Sequence, residues 1–173
     1  MDSWLERALP SAIAYASSLM GDRLRGQDIV HDCVCGLLVH AARYDLPRDG
    51  RKLLFRSITN ACLNLKSREK ETISLDQIGR GSQDGAWELE DIKATPPVDQ
   101  VIAAELKELI LAGLQSLPMA QRSAVELASF GYRAQEIAEM LEVSADHARV
   151  LLFRGRKAMA TFLNGKLVER SVP

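Results

Sequence analysis

Apolar residues recur every three or four positions along most of this chain, which is the spacing of one face of an α-helix. The clearest example near the C-terminal half is the series Ile102, Leu106, Leu109, Ile110, Leu114 and Leu117. Alternating apolar and polar runs, which are typical of half-buried β-strands, are hard to find. The pattern therefore predicts an all-α protein.

The N-terminal part is predicted to contain three helical segments. Residues 3–20 form one or two helices, with Pro10 as a break or as an early helical position. A second helix is predicted from about Gly26 to Arg43 and a third from about Asp49 to Lys70. The buried stripe predicted for the third helix consists of Leu53, Leu54, Ile58, Ala61, Cys62 and Leu65.

A change in composition divides the chain. Residues 71–98 are polar and acidic, contain several glycines and include Pro96-Pro97, which is typical of a linker. The sequence therefore predicts two small helical domains, residues 1–70 and 99–173, joined by a flexible acidic linker of residues 71–98. A helix that resumes near Asp99 is expected to pack behind the remaining C-terminal helices.

Two short breaks interrupt the C-terminal domain. The first is Gly131-Tyr132, and the second is Glu142-Val143-Ser144. Ser144 is a good N-cap for the following helix, and Asp146 in its first turn favours the positive helix end. Two short helices joined by a tight turn, the second capped and followed by arginines, indicate a DNA-binding helix-turn-helix.

The helix after Ser144 has two different faces. Its core stripe is predicted to be Ala148, Leu152, Gly155, Met159 and Phe162. The opposite face carries Asp146, His147, Val150, Arg154 and Lys157, flanked by Arg149 and Arg156. Arginine suits guanine edges or phosphates, and an exposed valine can meet a thymine methyl group, so this face fits a major groove. A solvated surface helix is the alternative interpretation of the same pattern.

The net charge of −1 conceals an uneven distribution of charge. Residues 43–70 contain eight basic and three acidic side chains, and residues 147–170 contain six basic and one acidic. Residues 71–105 between them contain two basic and eight acidic side chains. Local patches rather than the total charge attract phosphates, so two nucleic-acid-binding patches are predicted on either side of an acidic bridge.

The remaining composition favours a cytoplasmic protein without a cofactor. Three cysteines argue against a disulfide framework, and no run reaches the ~18 apolar residues of a membrane helix. The N-terminal residues lack the basic-then-apolar pattern of a signal peptide. Cys33 and Cys35 are two residues apart on a helix, so they point to different sides and cannot share a tetrahedral metal site. No catalytic motif is present, so we expect no enzymatic activity.

The C-terminal segment contains a series of short motifs: Leu117-Pro118, Gln121-Arg122, Gly131-Tyr132, Glu136-Ile137-Ala138, Leu141, Ser144 and Arg154-Gly155-Arg156. This series resembles region 4 of bacterial RNA polymerase sigma factors. Residues 22–70 are similar to region 2 of the same family, and the chain length resembles the extracytoplasmic-function (ECF) type of sigma-70 factor. The resemblance implies a sigma factor whose partners are core RNA polymerase, promoter DNA and an anti-sigma factor.

The resemblance also implies three binding surfaces. An upstream, −35-like element would be bound by Arg133, Ser144, Asp146, His147, Arg149, Val150, Arg154 and Lys157. A start-proximal, −10-like element would be recognised and melted by Arg56, Asn60, Asn64, Lys66 and Arg68, the asparagines reading bases and the cations holding phosphates. Polymerase would be contacted by Asp28, His31 and Asp32. Phe55 could stack on a base or belong to the core.

Departures from the family pattern leave two other functions open. Leu151 occupies a position where a basic residue is common, and Arg133 occupies a usual helix-cap position. The tryptophan that usually precedes the Leu54-Phe55 pair is absent. One alternative is a sigma-like mimic that sequesters an anti-sigma factor without loading on DNA. The other is a stand-alone helix-turn-helix regulator, which would not explain residues 22–70.

Overall fold

The computed structural model describes residues 3–75 and 98–171, with side chains described for 4–69 and 104–166. These ranges contain seven α-helices, a short 3-10 helix at Ala41–Arg43 and no β-strand. The helices are α1 Ser3–Met20, α2 Arg23–Val39, α3 Leu46–Leu75, α4 Val98–Ser116, α5 Met119–Ser129, α6 Ala134–Leu141 and α7 Ala145–Ser171. The prediction of an all-α fold is confirmed. None of the described helices is long and apolar enough to cross a membrane.

Helices α1, α2 and α3 pack against one another and form the N-terminal domain. Helix α1 runs unbroken through Pro10, although proline removes one main-chain hydrogen bond. Pro10 and Glu6, one turn earlier, are both exposed, so water can satisfy the carbonyl group that loses its partner. The buried side of α1 is lined by Ala8, Ala12, Tyr15, Ala16 and Leu19.

Helices α2 and α3 each begin three residues earlier than the apolar pattern predicts, because a side chain caps the first turn of each helix. The Asp22 carboxylate accepts a hydrogen bond from the Arg25 amide at 3.0 Å, so α2 begins at Arg23. The Asp45 carboxylate accepts one from the Arg48 amide at 3.4 Å, and Pro47 suits the first turn of α3. Helix α3 continues to Leu75, and residues 76–97 of the predicted linker lie outside the described part of the chain.

Helices α4 to α7 form the C-terminal domain, in which α7 packs on α4, α5 and α6. Of the predicted core stripe of α7, Ala148, Leu152 and Gly155 are buried, and Met159 and Phe162 are half-buried. A Cβ atom at Gly155 would lie 2.6 Å from Val125 Cγ2, so α5 and α7 can approach closely only around glycine. Leu151 is also buried, which explains why this position is apolar rather than basic.

The two domains pack against each other through an aromatic cluster, defined here as Tyr15, Phe55, Phe130 and Tyr132. Phe130 ends α5, and its ring centroid lies 5.1 Å from that of Phe55 and 6.0 Å from that of Tyr15. The Tyr132 ring lies 6.0 Å from that of Phe55. Phe55, for which base stacking was one of two interpretations, is fully buried in this cluster and is a core residue.

A close helix crossing in the N-terminal domain gives a testable pair of substitutions. A Cβ atom at Gly26 would lie 2.5 to 2.7 Å from Ser17, including its main chain, whereas one at Gly36 would meet nothing within 4 Å. We expect Gly26→Ala to destabilise the protein by about 1–3 kcal/mol, because α1 and α2 must move apart. Gly36→Ala, the control on the same helix, should stabilise it by about 0.5–1 kcal/mol. Urea unfolding measures both, and equal shifts would contradict the crossing geometry.

Candidate nucleic-acid interface

The helix-turn-helix of α6 and α7 turns at Glu142. Glu142 adopts the left-handed conformation with φ 55° and ψ 42°, which is uncommon for a residue with a side chain. The Ser144 hydroxyl accepts a hydrogen bond from the His147 amide at 3.2 Å, so Ser144 caps α7 as predicted. At the start of α6, the Arg133 amide donates to the Glu136 carboxylate at 2.8 Å. Glu136 thus supplies the cap that the Arg133 side chain cannot.

The predicted recognition face of α7 is exposed to solvent. Val150 is 43% exposed, and the exposed polar residues around it are Asp146, His147, Arg149, Arg154 and Lys157. The Arg149 guanidinium donates to the Asp146 carboxylate at 2.6 Å, which orients Arg149 along the helix surface. The opposite side of α7 is fixed to the domain core, so these side chains project from a rigid support.

Beside this face is an open groove of about 530 Å³. Its lining consists of Ala134, Arg149, Leu152, Phe153, Arg156 and Lys157. Three cations therefore surround an apolar floor, and Phe153 is 68% exposed there. Sequence reasoning missed Phe153, although it directly precedes the Arg154-Gly155-Arg156 motif. An exposed aromatic ring beside cations suits contact with nucleic-acid sugars or bases.

The predicted start-proximal residues on α3 are only partly brought together. Arg56 and Asn60 lie one turn apart, and both donate to the same oxygen, Glu142 Oε1, at 3.0 and 3.1 Å. Lys52 Nζ, one turn earlier, lies 2.5 Å from Glu139 Oε2. Asn64 is exposed one turn beyond Asn60, on the same side of α3. Helix α6 thus lies over the part of α3 that carries Lys52, Arg56 and Asn60.

The other two predicted cations lie towards the end of α3. Lys66 Nζ is 3.8 Å from Glu69 Oε2, and Glu69 also pairs with Arg25 of α2. Arg68 is exposed. Arg68 lies one turn beyond Asn64 and so continues the line of Arg56, Asn60 and Asn64, whereas Lys66 projects from a different side of α3.

A pocket of about 340 Å³ lies between the 3-10 helix, α3 and α6. It is lined by Arg43, Tyr44, Asp45, Asp49, Lys52, Leu53, Arg56 and Glu139. Tyr44 is 46% exposed, so its ring is available to a planar ligand. The sequence analysis did not identify Tyr44. The feature that could have identified it is the position of an aromatic residue between Arg43 and the basic third helix.

Asp28, His31 and Asp32, the predicted polymerase contacts, are all exposed on α2. Exposed apolar residues lie at both ends of the same helix, where Leu24 is 72% and Val39 is 78% exposed. Cys33 is half-buried, whereas Cys35 is exposed and contacts His31 at 3.6 Å. The two cysteines therefore face different sides, as their spacing predicted.

The contact between the domains also contains charged and polar groups. The Arg122 guanidinium donates to the carbonyl oxygens of Ser18 at 2.7 Å, Gln115 at 2.6 Å and Leu117 at 3.2 Å. It thereby satisfies acceptors near the C-terminal ends of α1 and α4, where a cation is favoured. The Ser18 hydroxyl donates to the buried Glu126 carboxylate.

Burial raises the pKa of Glu126 to about 7, although its hydrogen bond from Ser18 and the nearby Arg122 oppose this shift. Arg122 opposes it weakly, because its hydrogen bonds go to main-chain carbonyls rather than to the carboxylate. Glu126 Oε2 has no hydrogen-bond partner in the structure. Burial likewise raises the pKa of Tyr15, whose hydroxyl lies 2.8 Å from Thr59 Oγ1.

The fold and the exposed cationic helix define an all-α protein with a helix-turn-helix of the DNA-binding kind. Residues 107–159 match the family model described as Sigma-70, region 4. Among curated proteins, no sequence matches significantly. A solved structure of the sigma factor RpoE from Bartonella quintana, in complex with the anti-sigma factor NepR, aligns with a TM-score of 0.67. That alignment covers 92% of this chain and 94% of RpoE at 17% identity, which establishes the fold.

The region 4 match confirms that residues 107–159 resemble sigma-70 region 4, and the alignment with RpoE confirms the all-α fold of two helical domains. The structure also shows that the two domains lie against each other and that α6 covers part of α3.

The buried carboxyl group of Glu126 predicts a pH-dependent stability. The pKa of Glu126 in the folded protein is raised above the usual value near 4.5. Its contribution to the stability of the folded protein is therefore fully present below pH 4.5 and is lost as the pH rises through about 7. Glu126→Gln stays neutral and should therefore be more stable than the wild type at pH 8, by on the order of 2–3 kcal/mol. The difference should shrink towards pH 5. Thermal unfolding across this pH range measures it, and a difference independent of pH would contradict the raised pKa.

Proposed function

We propose that this protein is a sigma factor that binds core RNA polymerase and directs it to promoters with two separated elements. The observation that carries this proposal is the exposed, cationic face of α7 within the segment that matches sigma-70 region 4. The protein performs no bond chemistry in this role. It supplies sequence recognition and helps to separate the DNA strands near the start site.

In this proposal α7 enters the major groove of the upstream element. Arg149 and Arg154 contact guanine edges or phosphates, and Val150 contacts a thymine methyl group. Lys157 and the side chain of Arg133, which is exposed at the start of α6, contact the phosphate backbone. Ser144 acts by capping α7, with Asp146 orienting Arg149 and with His147 exposed beside them.

The start-proximal element is held by the N-terminal domain. Arg56 and Lys52 contact phosphates, and Asn60 reads the edge of a base of the separated strand. The pocket beside the exposed Tyr44 ring suits an unstacked base, because aromatic rings stack on bases of any sequence. Asn64 and Arg68 extend this surface along α3, and Lys66 adds a cation on a different side of the helix.

Polymerase docks on the exposed side of α2. Asp28, His31 and Asp32 supply polar contacts, and Leu24 and Val39 supply apolar contacts at the two ends of the same surface. Exposed apolar residues beside polar ones mark surfaces that protein partners use. We expect the protein to act with its polymerase in the cytoplasm.

A second candidate function is a sigma-like mimic that engages an anti-sigma factor. One observation favours it, because Arg56 and Asn60 are occupied by Glu142 rather than open to DNA. The similar RpoE structure also contains an anti-sigma factor. We propose an anti-sigma partner for this chain under either function. Loading on DNA distinguishes the two functions, because the mimic does not load on DNA.

Co-elution with bacterial core RNA polymerase, followed by run-off transcription from genomic fragments, tests the proposal. Co-elution with discrete new transcripts is the expected result, and the start sites would reveal both elements. Co-elution without transcripts would favour the mimic. Failure to associate with polymerase would contradict the proposed function.

Substitutions on α7 test the recognition surface. Arg149→Ala and Arg154→Ala should each weaken binding to the upstream element, by about 1–3 kcal/mol where a base contact is lost. Lys107→Ala removes an exposed cation from α4 of the same domain and serves as the matched control. Fluorescence anisotropy on a promoter found by run-off transcription measures the affinities. Equal affinity in all three variants and the wild type would exclude α7 as the recognition helix.

A further inference from the structure

A histidine and a cysteine are in contact on the exposed side of α2. His31 and Cys35 are four residues apart, so they lie one helical turn apart on the same side of the helix. The distance between His31 Nε2 and Cys35 Sγ is 3.6 Å, and both side chains are exposed. Cys33 and Cys35 cannot share a metal ion because they face different sides, whereas His31 and Cys35 face the same side.

The separation of these two atoms matches that of two ligands on one zinc ion. In tetrahedral sites, zinc lies about 2.3 Å from a thiolate sulfur and about 2.0–2.1 Å from an imidazole nitrogen. Two such ligands are therefore about 3.5–3.6 Å apart, which is the separation that His31 and Cys35 already have. Zinc-binding helices also place two ligands four residues apart, as in the two histidines of the HExxH motif. The pair therefore needs no rearrangement of α2 to bind one Zn²⁺.

The pair supplies two protein ligands. In the part of the chain whose positions are described, no group of three or more histidine, cysteine or acidic side chains is arranged to hold a metal ion. Water therefore fills the remaining positions on a zinc ion bound by His31 and Cys35, and the ion is held less tightly than in a structural site with four protein ligands. Helix α2 does not depend on the ion, because Asp22 caps its first turn and Ile29 and Val30 are buried.

The charge around the pair favours a cation. Asp28 lies one turn before His31, Asp32 lies one turn before Cys35, and both carboxylates are exposed. Acidic groups raise the local concentration of cations. Three of these four residues, Asp28, His31 and Asp32, are those that the proposed function assigns to polymerase. A metal ion bound by the pair would therefore lie within the polymerase-docking surface.

We propose that His31 and Cys35 form a Zn²⁺ site on α2 and that zinc bound there weakens the docking of polymerase. The second part rests on the proposed function, which assigns His31 to polymerase. On binding, the Cys35 thiol loses its proton to water, and the neutral His31 imidazole donates the lone pair of Nε2 to the metal. The ion then occupies His31 and offsets the negative charge of the neighbouring carboxylates. Polymerase therefore loses contacts within its docking surface.

The first experiment measures zinc binding by the reduced full-length protein without a polyhistidine tag. Competition with a chromophoric zinc chelator gives the affinity. We expect His31→Ala and Cys35→Ser each to weaken zinc binding at least about tenfold, because each removes one of the two protein ligands. Cys33→Ser changes the half-buried cysteine on another side of α2, so it is the matched control and should leave the zinc affinity unchanged.

Cobalt identifies the sulfur ligand in the same proteins. Co²⁺ in place of Zn²⁺ gives a sulfur-to-metal charge-transfer absorption when a thiolate is bound. We expect this absorption in the wild type and in Cys33→Ser, and we expect it to be absent from Cys35→Ser. Equal zinc affinity of the wild type and Cys35→Ser, or an absorption that requires Cys33, would overturn the zinc site.

The second experiment tests the effect of zinc on polymerase docking. Biolayer interferometry on immobilised bacterial core RNA polymerase measures the affinity with and without Zn²⁺ at a concentration that saturates the site. Zinc should weaken binding of the wild type by at least about threefold, because it changes the charge of the docking surface. Cys35→Ser, which is not among the proposed polymerase contacts, should bind polymerase equally well with and without zinc.

The outcomes separate this inference from the proposed function. Zinc binding through His31 and Cys35 with an unchanged polymerase affinity would overturn the second part of the inference and leave the sigma factor proposal standing. If the zinc-free wild type did not bind polymerase, the proposed function would fail, and the second part of the inference with it. The zinc site itself would then stand or fall on the first experiment.

Discussion

Phe130 and Tyr132 lie where helix α5 ends, and their rings pack against Tyr15 and Phe55 of the N-terminal domain. This aromatic contact joins the two domains into one continuous core, because aromatic side chains bury large apolar areas. It also determines where α6 begins relative to α3, since Tyr132 directly precedes the helix-turn-helix. The contact of Glu139 and Glu142 with α3 follows from this placement.

The same boundary contains buried polar groups that weaken the packing of the two domains. Arg122 joins the domains through carbonyl groups near the ends of two helices, yet its Nε atom has no hydrogen-bond partner in the structure. Glu126 is buried with one oxygen lacking a partner, so its ionisation destabilises the packed state. An entirely apolar core would hold the domains together more strongly.

Local sequence patterns were sufficient for the helices and for the exposed cationic face of α7. Ser144 caps α7, and the three- and four-residue spacing identified its core stripe, because both features depend on residues within a few turns of one another. The predicted starts of α2 and α3 were three residues too late, because they were placed from the apolar pattern and not from the cap residues Asp22 and Asp45. Those caps were readable in the sequence, as was Tyr44 beside the basic third helix.

The surroundings of Lys52, Arg56 and Asn60 depended on the tertiary structure. Their partners Glu139 and Glu142 are more than 80 residues away in the chain, and periodicity within one helix carries no information about such a pairing. The burial of Glu126 and the core role of Phe55 likewise required two domains to meet. The sequence by itself therefore determined the helices, their caps and the exposed cationic face of α7. Only the tertiary structure decided which of the cations face solvent and which face a carboxylate, because that depends on how separately formed helices pack.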